Sequence, residues 1–122
     1  MELKTKKQKM LEKKLKHMGT QVYAKAQAKK LLNQKDKEWR ELVKAEFDNK
    51  CIICGRTDII HAHHLFPREI KQFRHEVLNG VTLCPLHHKY SIEISAHKNP
   101  IMFLNYYSSN FKERFEKLKQ MI

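Results

Sequence analysis

Acidic side chains are scarce in this 122-residue chain, with 13 Asp and Glu against 25 Lys and Arg, which leaves a formal charge of +12. A surplus of that size draws polyanions through counterion release and long-range steering, and nucleic acid is the obvious one. Charge alone also fits a basic tail that serves solubility, a membrane surface or a ribosome. Long apolar runs are absent, and nothing approaches the ~20 residues that a membrane span requires. The lysine-rich start lacks the apolar stretch that follows the basic end of a secretory signal, so an intracellular, cytoplasmic location is expected. Only three cysteines occur. The tight pair Cys51 and Cys54 favours a metal in a reducing compartment over a disulfide framework. Internal repeats are missing as well, and a composition that is 41% hydrophobic and 31% charged fits a soluble globular domain.

What is present divides into a basic arm, residues 1–36, and a folded domain, residues 37–122. From Met1 to Lys35 eleven lysines face two acidic residues, with Gly19 the lone breaker, which reads as a helical or disordered arm. Leu11, Leu15 and Met18 keep helical spacing and Val22, Ala26 and Leu31 keep it less well, so the stripe is too thin for a core. Lys6, Lys7, Lys9, Lys13, Lys14 and Lys16 are candidate phosphate contacts, against a solvated lysine helix with no specific partner. From Lys37 onward Trp39, Leu42, Val43 and Phe47 share a helical face, which predicts a helix packed on the core with Trp39 as its anchor.

Beyond that helix the pattern is α+β. A strand is predicted over residues 59–65, a long loop or short helix over 67–78, and a second strand over 80–83 with Val81 and Leu83 on one face. A helix should start near Pro85. Asn99-Pro100 marks a turn, and Asn110, three residues before Glu113, predicts the cap of a last amphipathic helix that turns Phe111, Phe115, Leu118 and Ile122 inward.

Cys51-Ile-Ile-Cys54-Gly has the form of a zinc knuckle, whose glycine permits a tight turn. Cys84-Pro-Leu-His87 repeats the two-residue gap, so Cys51, Cys54, Cys84 and His87 make a closed Cys3His set for structural Zn2+. Four protein ligands leave no open position, so chemistry must occur elsewhere. A core of about 75 residues buries only around 60% of its unfolded surface, and a zinc staple can decide whether it folds.

Eight histidines is many for this length. They gather between His61 and His97, with His63-His64 at the centre. Adjacent residues on a strand face opposite ways, yet at a strand end two neighbouring imidazoles can serve one site from different sides. The bland alternatives are a His-rich tract with partly exposed rings, or a second zinc site.

Cys51-x-x-Cys54, His63-His64, Asn79, Cys84-x-x-His87 and His88 together resemble the HNH nucleases of the ββα-metal class, over residues 51–95. The resemblance implies a small ββα-metal core carrying the zinc knuckle, flanked by the basic arm and C-terminal helices. It implies that His63 and His88 bind a catalytic divalent ion, that His64 is the general base, and that the amide oxygen of Asn79 orients His64. Where many relatives carry a further histidine, one turn after the second ligand, this chain has Ile92; Glu93 and His97 are the substitutes considered. Two protein ligands and a water-rich shell suit Mg2+ or another divalent cation. Ser95-Ala-His97-Lys-Asn resembles a segment of phage-type members, which would place the protein in a host cytoplasm.

The function so implied is metal-dependent endonucleolytic hydrolysis of DNA phosphodiester bonds, by nicking or cutting. Arg68 and Lys89 join the arm lysines as nucleic-acid contacts. DNA is the expected partner, no membrane is involved, and the oligomeric state is left open: a monomer is one option, and a duplex cut needs either two actions of one site or two protomers. The alternatives are a non-catalytic zinc-binding module that holds nucleic acid through its lysines, and an RNA-binding accessory factor. The latter would interleave exposed aromatics with basic residues, whereas the aromatics here sit at core spacing.

The arm yields the first prediction. Deleting residues 1–35 should weaken binding to all sequences alike, and if about five lysines meet phosphates the log-log salt slope should flatten by roughly three to five units. A slope unchanged in a binding titration from low to high salt would remove the arm from the interface.

Overall fold

The computed structural model describes residues 3–122, so the first two positions of the arm, Met1 and Glu2, lie outside the described residues. Two compact units are present, one ending at Lys35 and one running from Asp36 to Ile122. The first is helical throughout its described length beyond Thr5, and it belongs to helix α1, Lys6–Glu46. Thr5 and Gln8 start that helix with a reciprocal capping box: the Thr5 hydroxyl accepts from the Gln8 amide at 3.2 Å and the Gln8 side chain accepts from the Thr5 amide at 2.9 Å. Gly19 costs the helix about 1 kcal/mol relative to alanine but does not interrupt it. Met10, Leu11, Leu15, Met18, Val22 and Leu31 are all exposed. Lys6, Lys9, Lys13 and Lys16, spaced by three and four residues, fall on one side of the helix.

In the second unit the last turns of α1 become a packing element. Trp39 and Val43, four residues apart on one face, are buried, whereas Leu42, expected beside them, is 57% exposed. The helix ends where Asp48 and Asn49 adopt left-handed conformations, φ 53° and 55°, and the Asn49 amide bonds back to the Lys44 carbonyl at 2.8 Å.

Two short strands, β1 (His61–His64) and β2 (Gly80–Leu83), pair antiparallel with His61 opposite Leu83 and His63 opposite Val81. Every residue of β2 is buried. Val81 and Leu83 enter the core with Cys51, Cys84, Ala96, Phe103 and Tyr107. Gly80 meets α1: a Cβ there would lie 2.8 Å from Trp39 Cζ2 and overlap Val43, so only glycine allows this approach. Thr82 donates its hydroxyl to the Lys50 carbonyl, and its own carbonyl accepts from Ile52, which fastens the knuckle to the sheet.

Between the strands, residues 65–76 form turns that close with a 3-10 turn at Val77–Asn79. The helix expected near Pro85 is a single wide turn, Leu86–Tyr90, in which the Ser91 amide reaches the Leu86 carbonyl five residues back. Asn99 caps a full helix, α2 (Pro100–Asn110), by accepting from the Met102 amide with Pro100 in the first turn. Helix α3 covers Lys112–Gln120. Its expected cap, Asn110, ends α2 instead and donates to the Tyr106 carbonyl, while Phe111 occupies the junction. Leu118 is buried, Phe111 and Phe115 pack against the core, and Ile122, expected inward, is 76% exposed.

Asp36, the first residue of this unit, receives the Arg74 guanidinium at 2.9 and 2.7 Å and stands 2.7 Å from His75 Nε2. The bonded Arg74 guanidinium holds its carboxyl well below the usual range, against the opposing effect of burial, with His75 adding to the depression. A depressed folded-state pKa stabilises the fold above the unfolded value and ceases to do so in acid. Asp36→Asn should therefore cost about 1–3 kcal/mol at neutral pH, and the gap should shrink as the pH falls below about 4. Urea unfolding of both proteins from pH 7 to pH 3 reads the gap; a constant difference would remove the carboxylate's charge from the account.

Candidate metal centres and the histidine cleft

The Cys51, Cys54, Cys84 and His87 side chains converge, with Cys51 Sγ 3.7 Å from His87 Nδ1, Cys54 Sγ 3.7 Å from Cys84 Sγ, and Cys84 Sγ 3.3 Å from His87 Nδ1. Zinc bonds of ~2.3 Å to sulfur and ~2.0 Å to nitrogen put tetrahedral edges at about 3.5–3.8 Å, so the set is compatible with zinc. The knuckle is shaped by Gly55, at φ 77°, whose amide bonds to the Cys51 carbonyl at 2.9 Å. Burial disfavours the Cys51 thiolate, yet backbone N–H groups of Cys54, Cys84 and Ile53 around the sulfur outweigh it and lower its pKa. Burial also lowers His87, keeping its imidazole neutral and able to ligate.

The second cluster is all histidine. His63, His88 and His97 bring three ring nitrogens within 4.8 Å of one another. His63 Nδ1 lies 3.2 Å and His97 Nε2 3.1 Å from His88 Nε2. Burial and then the neighbouring imidazoles push His63 down to about 3 and His88 down to about 4, so both offer lone pairs at neutral pH. His97 arrives because the loop after the wide turn folds back: the His97 amide bonds to the His88 carbonyl and the Ala96 amide to the His87 carbonyl, each at 3.0 Å. Asn99 holds that loop by donating to the Ile92 and Glu93 carbonyls. Of the two substitutes considered, His97 joins His63 and His88, and Glu93 is not in the group; Ile92 is 75% exposed.

His64 points to the other side of β1. Its Nε2 is 2.9 Å from the Arg74 carbonyl, and its ring stacks on Trp39 at 3.8 Å between centroids and 5° between planes. A carbonyl only accepts, so Nε2 carries the proton and the neutral ring keeps its lone pair on Nδ1. Burial lowers the pKa of His64, with the Arg74 carbonyl opposing.

Asn79 does not do what the sequence led us to expect. Its side-chain oxygen accepts from the Phe66 amide at 2.6 Å, and its amide nitrogen donates to the Phe66 and Phe73 carbonyls at 3.0 and 3.1 Å. All three of its side-chain hydrogen bonds go to the 66–73 loop, and the carbonyl that faces His64 Nε2 is that of Arg74. The position of Arg74 is in turn set by Asp36. Trp39, expected only to pack, packs and also supports His64, and its Nε1 donates to the Glu76 carbonyl at 2.8 Å. Of the expected phosphate contacts, Arg68 and Lys89 line the same cleft as His63, His64, His88 and His97, and Lys6, Lys7, Lys9, Lys13, Lys14 and Lys16 are exposed on α1.

Residues 51–91 match the family model of the HNH endonucleases. No curated protein and no solved structure matches the chain. The matched segment carries both cysteine pairs, His63, His64, Asn79, His87 and His88, while Asp36, Trp39 and His97 fall outside it. An HNH domain is a nuclease domain that takes nucleic acid and a divalent metal. No helix among the described residues is long and apolar enough to cross a membrane.

If the Cys3His cluster holds zinc, elemental analysis of purified protein should find about one tightly bound Zn2+ per chain. Cys51→Ser should abolish both the zinc and the folded circular dichroism of the second unit. A folded, zinc-free protein would refute the coupling.

Proposed function

We propose that this chain, whose residues 51–91 form an HNH endonuclease domain, hydrolyses DNA phosphodiester bonds, with His64 as general base and His63, His88 and His97 as the ligands of a catalytic divalent ion. The observation that carries the reading is the arrangement at one cleft: a three-imidazole cluster and, beside it, a single imidazole whose Nε2 faces a backbone carbonyl.

Phosphodiester hydrolysis needs a proton taken from water, charge neutralised on the phosphate and the leaving oxygen stabilised. Neutral His64 can take the water's proton on Nδ1, and the Arg74 carbonyl then meets an imidazolium whose Nε2–H it already accepts. The Trp39 face limits ring rotation and supports the cationic form through its π-system. A divalent ion held by His63, His88 and His97 would supply the positive charge that the scissile phosphate and leaving oxygen require. Arg68 and Lys89 at the cleft add charge for flanking phosphates, and the lysine stripe of α1 adds reach along the backbone. Mg2+ fits two imidazoles and water, whereas a third nitrogen moves preference towards ions such as Zn2+ or Ni2+.

Plasmid nicking across a divalent-metal titration tests the roles. His64→Ala should lose ~10²- to 10⁴-fold in rate with fold and bound zinc intact, and added metal should not restore it. His63→Ala and His88→Ala should need more metal, and excess Mg2+ or Mn2+ should partly rescue them. Asn79→Ala should lose folding stability as well as rate, because its side chain holds a loop rather than a ring. Cleavage by His64→Ala at the parent's rate would overturn the assignment of the base.

A further inference from the structure

His61 lies on the same face of β1 as His63, two residues away, and outside every role described above. Its Nδ1 is 3.0 Å from Nδ1 of His88, the ring edge opposite the one that His88 turns to His63 and His97. The two rings meet edge to face, at 5.1 Å and 70°.

A neutral imidazole has one proton and one lone pair. His88 Nε2 can serve a metal only when it is the unprotonated nitrogen, which places the proton on Nδ1, where it needs an acceptor. Among the described residues no carboxylate or carbonyl bonds to His88 Nδ1; the partner there is His61. We infer that His61 is a positioning residue for the ion site: its Nδ1 accepts the His88 Nδ1–H, which presets the ligating tautomer of His88 and fixes the direction of its lone pair. Free histidine favours the opposite tautomer, so without His61 part of the population would present a proton where the ion must bind. The position on β1 makes the arrangement possible. Strand alternation sends His61 and His63 to one side, with the ring of His88 set against both, while His64 is kept apart on the other.

The inference rests on reading His63, His88 and His97 as the ion site, and the test separates the two. Full-length protein adjusted to one Zn2+ per chain, enough for the Cys3His set alone, is titrated with Mn2+, with free Mn2+ read by electron paramagnetic resonance and zinc content checked in every sample. Parent protein should bind Mn2+ and His88→Ala should bind it much more weakly; if the parent takes up none, the ion site itself is refuted and the role of His61 with it. Given binding, His61→Phe, which keeps a ring but no acceptor, should raise the Mn2+ Kd about 10- to 100-fold, and His61→Gln, whose side-chain oxygen can accept, should recover most of the loss. Equal affinity in parent and His61→Phe, or no recovery in His61→Gln, would overturn the proposal while leaving the ion site standing. A second readout needs no added ion: ¹H–¹⁵N correlation spectra of the imidazoles should place the His88 proton on Nδ1 in the parent and move it towards Nε2 in His61→Phe. The same tautomer in both proteins would also overturn the proposal.

Discussion

The wide turn at Leu86–Tyr90 is the constraint on which both clusters depend. It follows Cys84 and Pro85 directly, so the second half of the Cys3His set and the central ligand of the histidine cluster are carried by one short piece of backbone. His87 turns its Nδ1 to the cysteines while His88, its neighbour, turns Nε2 to His63 and His97. Any force that moves the knuckle therefore moves His88, and with it the loop bonded to the backbone of residues 87 and 88. A metal held by the cysteine set would therefore stiffen the backbone of the histidine cluster as well as offset the small core.

The other side of β1 is organised by the last turns of α1. Asp36 grips Arg74, the Arg74 carbonyl grips His64, and Trp39 covers the His64 ring from a position that Gly80 leaves free. Each contact is individually modest, on the order of 1–3 kcal/mol for a charge-assisted hydrogen bond and less for a ring stack. Together they leave the His64 ring little freedom to turn.

Spacing made much of this legible. The Cys51-x-x-Cys54 and Cys84-x-x-His87 gaps are local, and local gaps survive translation into structure; the same holds for β2, whose alternation put Val81 and Leu83 inward. What sequence could not carry were contacts across tens of residues. Arg74 looks like any surface arginine until Asp36, 38 positions earlier, is found beside it. Trp39 was legible as a buried ring but not as a buried ring facing a histidine. Asn79 misled because an asparagine in the right loop has two possible clients, the ring or the loop itself, and only the structure assigns its three bonds to Phe66 and Phe73. His97 was obscured by a helical register that the wide turn does not keep. The third ring comes nine residues after His88, through a folded-back loop, rather than one turn along a helix.

The alternation of β1 also explains why the two neighbouring histidines are not interchangeable. His63 is half-buried among other imidazoles, and its pKa of about 3 means that it almost never holds a proton near neutrality. Such a ring is a good ligand and a poor proton carrier, because the protonated form it would pass through is the one its surroundings penalise. His64 faces a carbonyl and an aromatic surface instead, both of which accommodate an imidazolium, so burial lowers its basicity while these partners keep the charged form accessible. A one-residue slip in the pairing of β1 with β2 would exchange the two environments. Register, more than residue type, separates the two environments. In this fold the register is held by Val81 and Leu83 in the core and by Gly80 under α1.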